Sequence, residues 1–134
     1  METNLITETS PLTGQIIGLA MRVHSAIGPG VLESVYRTCL RYEIEKAGFE
    51  VQSELSLPVR YEGMTLQSGY RVDLMIEKRV IVELKCVETI LPIHKAQLMT
   101  YLRLANLPLG LLLNFNVVYL REGISRVLNS KYRP

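Results

Sequence analysis

The sequence predicts an α/β domain in which helices flank a mixed β-sheet, and three observations lead to this prediction. The first third of the chain repeats apolar residues at helical spacing, and the middle third alternates them at strand spacing. Near the end, "LGLLLNF" is a nearly continuous apolar run, typical of a strand covered on both faces. The predicted order is α–α–β–β–β–α–β plus a C-terminal hairpin, within one domain over residues 1–134.

Two helices are predicted at the start of the chain. Residues 11–27 carry apolar side chains at helical spacing, and "GPG" at Gly28–Gly30 ends this helix. The second helix is predicted over residues 31–47, with an apolar side formed by Leu32, Val35, Cys39 and Leu40. His24 falls on the apolar face of the first helix, where a hydrogen-bonded core histidine is a better interpretation than a catalytic base.

From residue 50 onward the apolar spacing becomes that of strands. Three strands are predicted, at residues 50–61, 65–76 and 79–87, with turns at "YEGM" and "EKR". Pro92 opens a helix that runs to about Ala105, and the strand "LGLLLNF" follows it. The tail, with "REG" between "VVYL" and "ISRVL", predicts a short hairpin.

The composition limits the class of protein. With 48% hydrophobic and 21% charged residues, the chain is typical of an ordinary soluble globular protein, and its net charge of +2 is too small to indicate a nucleic-acid partner by itself. The polar start "METNLITETSP" is not a secretory signal, and "LPLGLLLNFNVVYL" is too short and too interrupted to span a bilayer. Cys39 and Cys86 lie in apolar segments without CxxC spacing, which predicts buried free thiols. We therefore expect a cytoplasmic protein without a membrane partner.

The second and third predicted strands form a hairpin that separates apolar from charged residues. With a three-residue loop at residues 77–79, one face consists wholly of apolar pairs, namely Ile76–Val80, Leu74–Val82 and Val72–Leu84. The opposite face contains the pairs Met75–Ile81, Asp73–Glu83 and Arg71–Lys85. The predicted register therefore sets two carboxylates directly opposite each other.

Facing carboxylates repel each other, and partial burial raises the cost of ionising them. A shared proton, a cation of the protein or a bound divalent metal could relieve this cost. Hard oxygen ligands suit Mg²⁺ or Mn²⁺, and Lys85 lies two residues from Glu83 on the same face. Spacing alone supports equally a solvated salt-bridge ladder in which Arg71 and Lys85 offset Asp73 and Glu83.

These residues, taken with "GVLESVY" at Gly30–Tyr36 and "LPIHKAQLMTYL", resemble a known family. A D…ExK hairpin between a helix carrying Glu and a helix carrying Gln-x-x-x-Tyr resembles the PD-(D/E)XK nuclease superfamily. "GVLESVY" is similar to the motif that names the GxxExxY family within it. The likeness covers nearly the whole chain, and no position of the motif is degraded.

The resemblance implies a metal site. Asp73 and Glu83 match the metal ligands, the backbone carbonyl of Leu84 often joins them, and Glu33 matches the helix-borne acid that completes the site, often through water. Lys85 matches the residue that orients or activates the attacking water. Asp73, Glu83 and Lys85 are accordingly the expected catalytic core.

Gln97 and Tyr101 match the QxxxY element of the RecB-like branch of the superfamily, which adds them to the expected catalytic and substrate-contacting residues. By spacing alone, His94 shares one face of the helix with them. This polar stripe is a candidate substrate wall, with His94 touching the substrate. The alternative is that it forms the solvent-facing side of an amphipathic helix.

The resemblance implies a metal-dependent nuclease, expected to be an endonuclease, with Mg²⁺ or Mn²⁺ as cofactor. DNA is the expected substrate in preference to RNA. A domain this small covers little of a duplex, so a homodimer that presents two sites is a further expectation. One alternative is a non-catalytic module that keeps the fold and binds nucleic acid or protein. Another is a metal-dependent hydrolase of a non-nucleic phosphoester.

Overall fold

The computed structural model describes residues 2–134, with side chains described for residues 11–67 and 69–134. The helices are α1 (Glu2–Ile27), α2 (Glu33–Lys46) and α3 (Pro92–Ala105). The strands are β1 (Val51–Tyr61), β2 (Met64–Ile76), β3 (Val80–Lys85), β4 (Leu109–Asn114) and β5 (Ile124–Leu128), and a 3₁₀ turn at Leu120–Gly123 precedes β5. No helix among the described residues is long and apolar enough to cross a membrane.

The five strands form one mixed sheet in the order β1-β2-β3-β4-β5. β3 and β4 are parallel because α3 connects them as a crossover, and every other neighbouring pair is antiparallel. α1 and α2 pack on one face of the sheet, and α3 packs on the other. The predicted fold class, a mixed sheet flanked by helices, is confirmed.

Apolar spacing explains how the helices dock. α1 buries one side with Leu12, Ile16, Ala20 and Val23, and α2 does so with Tyr36, Leu40 and Ile44. The predicted apolar side of α2 was partly wrong, because Leu32 precedes the helix and is exposed and Val35 also points toward solvent. The predicted start of α1 at residue 11 was wrong as well: the helix begins at Glu2, and Pro11 lies inside it, where its missing N–H removes one hydrogen bond without ending the helix.

α3 approaches the sheet closely above Gly110. A Cβ atom at Gly110 would lie 2.9 Å from Leu98 Cδ1 and 3.2 Å from the backbone oxygen of Ile81. Only a residue without a side chain leaves room for this contact. The absence of a side chain at Gly110 therefore sets how near the helix can bring its polar residues to β3.

The predicted hairpin register is confirmed over its first half, where β2 and β3 pair as Ile76–Val80, Met75–Ile81 and Leu74–Val82. Among the described residues the ladder ends there, so the predicted pairs Asp73–Glu83, Val72–Leu84 and Arg71–Lys85 do not form. Val72 belongs to the cluster under α3, whereas Leu74 belongs to the cluster under α1 and α2. Alternation of side chains along β2 thus breaks at Asp73, and the neighbouring β1 has Glu54 at a positive φ of 53° at the same level.

The predicted C-terminal hairpin was also wrong. "ISRVL" forms β5, but it pairs with β4, and "VVYL" is a bent segment that ends in the 3₁₀ turn. His24 explains the difference, because its Nε2 lies 3.2 Å from the carbonyl oxygen of Phe115 and 2.8 Å from that of Val117. His24 is also buried, which confirms its interpretation as a hydrogen-bonded core histidine.

Candidate functional site

Asp73 and Glu83 hold the two strands together at the point where the β2–β3 ladder ends. The backbone N–H of Asp73 donates to Glu83 Oε1 at 2.9 Å, and the N–H of Leu84 donates to Asp73 Oδ2 at 2.9 Å. Each carboxylate therefore satisfies a backbone amide that has lost its ladder partner. This crossed arrangement keeps both side chains in one place on the sheet.

Burial and mutual repulsion make it costly to ionise both carboxylates of this pair. Glu83 is 4% exposed, which excludes the solvated salt-bridge ladder for this residue. Burial, and then the charge of Asp73, raises the pKa of Glu83 from 4.5 to about 8, although the hydrogen bond from the Asp73 amide and the charge of Lys85 oppose this rise. At neutral pH without a cation, the pair therefore retains a proton.

Lys85 lies on the same face of β3 as Glu83 and reaches α3. Its Nζ donates to Gln97 Oε1 at 3.3 Å. Lys85 and Gln97 line a cleft of about 470 Å³ together with Tyr70, Ile93, His94, Ala96 and Thr100. The structure therefore brings Lys85, Gln97 and His94 together, as predicted from the sequence.

The polar stripe of α3 is not its solvent-facing side. Gln97 and His94 are half-buried, and Tyr101 is 4% exposed, with its ring edge-on to Tyr70 at 5.5 Å. Burial, followed by the charges of Glu83 and Asp73, raises the pKa of Tyr101 to about 12. His94 Nδ1 also accepts the backbone N–H of Leu91 at 2.9 Å, so it caps the start of α3 while lining the cleft.

Glu33 opens α2 and lies within electrostatic reach of the carboxylate pair. Burial and then the charge of Asp73 raise the pKa of Glu33, whereas Lys85 and Arg37 lower it. Among the residues that the structure describes, however, no three His, Cys, Asp or Glu side chains form a group that could hold a metal ion. The resemblance implies that Glu33 often completes such a site through a water.

The donor set at Asp73 and Glu83 fits a divalent cation. The two carboxylates are neighbours and retain a proton between them, so a cation would replace that proton and remove the cost of ionisation. Mg²⁺ and Mn²⁺ accept one or two carboxylates and keep several waters. These two side chains could thus hold such an ion, with the Leu84 carbonyl as a further ligand predicted from the resemblance.

Sequence reasoning missed one cation, Arg37, and one anion, Glu54, beside Asp73. Arg37 follows Glu33 by one helical turn, and its Nη1 lies 3.6 Å from Asp73 Oδ1. Its Nη2 lies 3.0 Å from Glu54 Oε1, and the other oxygen of Glu54 binds Arg71. The i,i+4 spacing of Glu33 and Arg37 was visible in the sequence, but the position of Glu54 depends on its left-handed backbone and was not.

Other candidates have structural roles. Tyr36 donates its hydroxyl hydrogen to the carbonyl of Gly28 and stacks on Phe115 at 4.5 Å, so it packs the interhelix corner. Cys39 and Cys86 are free and only partly buried. Asn114, which sequence reasoning missed, exchanges two hydrogen bonds with the backbone of Val87 and so holds the chain just beyond Lys85.

A family model described as the PD-(D/E)XK nuclease superfamily matches residues 10–127, which include all the site residues above. No curated protein and no solved structure gave a significant match.

Proposed function

Because the chain belongs to the PD-(D/E)XK nuclease superfamily, we propose that it uses Mg²⁺ or Mn²⁺ to hydrolyse phosphodiester bonds in DNA. The observation that carries this proposal is the buried contact of Asp73 with Glu83, with Lys85 next to Glu83 on the same face of β3. The GxxExxY motif and the QxxxY element resemble those of narrower groups within the superfamily, and they support the same proposal.

The ligands proposed for the cation are Asp73, Glu83 and the Leu84 carbonyl, with Glu33 behind them through water. A bound divalent cation supplies a water of lowered pKa and neutralises charge at the phosphate. Asp73 and Glu83 are already oriented for this task by the amides that they bind. Little reorganisation is therefore needed when the ion arrives.

Lys85 supplies a positive charge from the protein itself, in addition to that of the metal ion. Its ammonium group orients the attacking water and stabilises the negative charge that develops on the phosphate. Gln97 holds this ammonium group at 3.3 Å, and Tyr101 follows Gln97 by one turn of α3 with its ring packed edge-on against Tyr70. The cleft that His94 and Gln97 line is the proposed path of the substrate backbone.

We further propose that the protein acts as a homodimer, because one domain of 134 residues covers little of a duplex and two sites could cut both strands. Light scattering coupled to gel filtration measures the mass directly. A monomer at the concentration used for cleavage would contradict the dimer and leave the nuclease proposal intact.

The nuclease proposal is tested by cleavage of labelled single-stranded, duplex, flapped and four-way DNA, and of a matching RNA, with Mg²⁺, Mn²⁺ or EDTA. Wild type is compared with Asp73→Asn, which keeps the size of the side chain, and with Glu62→Gln, a control at an exposed turn carboxylate. We expect metal-dependent cutting by wild type and Glu62→Gln but not by Asp73→Asn. Equal binding without cutting by all three proteins would favour the non-catalytic binding module instead.

A further inference from the structure

A small pocket beside Asp73 places two guanidinium groups against two carboxylates. The pocket has a volume of about 200 Å³ and is lined by Arg37, Glu54, Arg71, Val72 and Asp73. It shares Asp73 with the proposed metal site. The fold thus sets two guanidinium groups next to the metal-binding carboxylates.

One carboxylate bridges both guanidinium groups. Glu54 Oε1 lies 3.0 Å from Arg37 Nη2, and Glu54 Oε2 binds Arg71 Nη2. Arg37 also lies 3.6 Å from Asp73 Oδ1. Two arginines that converge on two oxygens of one planar anion form the geometry with which proteins also bind phosphate oxygens.

The backbone of Glu54 shows that its position is not that of an ordinary strand residue. Its φ of 53° lies in the left-handed region, which a residue with a side chain rarely adopts. It lies between the paired residues Ser53 and Leu55, opposite the break in β2 at Asp73. An unfavourable backbone conformation kept next to a candidate active site points to a functional constraint.

We propose that Arg37 and Arg71 form a subsite for a phosphate of the nucleic-acid backbone next to the one that is cut, and that Glu54 occupies this subsite until the substrate displaces it. This proposal rests on the proposed nuclease function in one respect, because it assumes that the ligand is nucleic acid. Displacement is easy because the Glu54 side chain is 42% exposed and its ion pairs are screened by solvent. The released carboxylate can turn toward water, and both guanidinium groups then bind the phosphate oxygens.

The subsite is tested by binding without cleavage. The probe is a fluorescein-labelled DNA oligonucleotide, single-stranded or duplex, and its fluorescence anisotropy is measured in EDTA at several NaCl concentrations. We expect Arg71→Ala to weaken binding about tenfold and to lower the salt slope by about one. Arg37→Lys keeps the charge but loses the planar fork, so we expect it to weaken binding and leave the salt slope unchanged. Glu54→Gln removes the competing charge and is expected to tighten binding about threefold.

Matched controls lie on α1 and α2. Arg22 is as exposed as Arg71, at 67% against 65%, and its Nε lies 3.6 Å from Glu43 Oε2. Arg22→Ala and Glu43→Gln therefore change the same charges in a similar ion pair away from the pocket, and we expect neither to alter binding. Tighter binding by Glu54→Gln cannot result from misfolding, so this variant keeps the test decisive if an arginine variant is unstable.

The outcomes separate the two proposals. The subsite, but not the nuclease, would be overturned if Arg71→Ala and Glu54→Gln bound DNA as tightly as wild type does. The same conclusion would follow if Arg22→Ala weakened binding as much as Arg71→Ala does. Binding that depends on Arg71 and Glu54 as expected, in a protein that cuts nothing with Mn²⁺, would support the subsite and overturn the nuclease. If wild type binds neither form of the probe, the subsite is wrong, and the nuclease proposal is decided by the cleavage assay with metal.

Discussion

The proton retained by Glu83 makes stability without metal depend on pH. The pKa of Glu83 is about 8 in the folded protein and 4.5 in the absence of the fold. Between these two values the folded state holds a proton that the unfolded state has lost. The free energy of unfolding must therefore fall as the pH rises from about 5 to about 8.

The size of the effect follows from the difference between the two pKa values. At about 1.36 kcal/mol for each pH unit, a rise from 4.5 to about 8 corresponds to at most about 5 kcal/mol. Water that enters around the ionised carboxylate, and a shift of Lys85 toward it, would recover part of this cost. We expect an observed loss of about 2 to 3 kcal/mol, a large share of the stability of a domain this size.

The assay is urea unfolding in EDTA at several pH values, followed by circular dichroism because the chain contains no tryptophan. Glu83→Gln replaces the carboxyl group by a neutral group of equal size, so its stability should change far less with pH. We expect this variant to be more stable than wild type at about pH 8. Glu62→Gln, at an exposed turn position, should follow wild type. The reasoning is refuted if wild type and Glu83→Gln lose stability with the same slope, or if wild type loses none.

Four other outcomes are expected. At about pH 8, Mg²⁺ at about 100 times its Kd should stabilise wild type by about 2.7 kcal/mol and Glu83→Gln by much less, and equal shifts in Tm would place the ion elsewhere. Lys85→Ala should slow cleavage about 100-fold or more while DNA binding in EDTA changes only a few-fold, and normal cleavage would remove Lys85 from the reaction. Gly110→Ala should cost about 1 to 3 kcal/mol in urea unfolding, because its Cβ would contact Leu98 at 2.9 Å, and an unchanged midpoint would show that α3 can move away freely. His24→Ala should also cost about 1 to 3 kcal/mol, because two carbonyl groups near it lose their hydrogen-bonding partner, and wild-type stability would contradict this role.

Alternation of apolar residues was enough to predict the first half of the hairpin, because a shift by one residue would move the side chains of one strand to the opposite face and separate Leu74 from Val82. The same logic failed at Val72, since alternation holds only while the strand keeps its regular twist. The break at Asp73 is matched by the left-handed residue Glu54 on the neighbouring strand. This correlated distortion of two strands leaves no periodic signal in the sequence.

The prediction of a C-terminal hairpin failed for a related reason. "VVYL" has the composition of a strand, but His24 binds the carbonyl group of Val117, its first residue, and that of Phe115 just before it. His24 lies 91 residues before Phe115 in the sequence. A local pattern does not indicate which distant side chain will take a backbone group. Spacing did place Gln97, Tyr101 and His94 on one face of α3, because the helical period is set locally.

The break in the sheet is also what makes the candidate site possible. An unbroken ladder would have paired the amides of Asp73 and Leu84 with backbone carbonyl groups and left both carboxylates without these donors. With the ladder broken, the carboxylates replace those carbonyl groups, which anchors the two side chains without a cation. Regular sheet pairing is thus exchanged for two carboxylates held in fixed positions, and burial beside Asp73 leaves Glu83 with its proton. Stability and proton binding are therefore linked at these two residues, and the proposed metal binding would be linked to both.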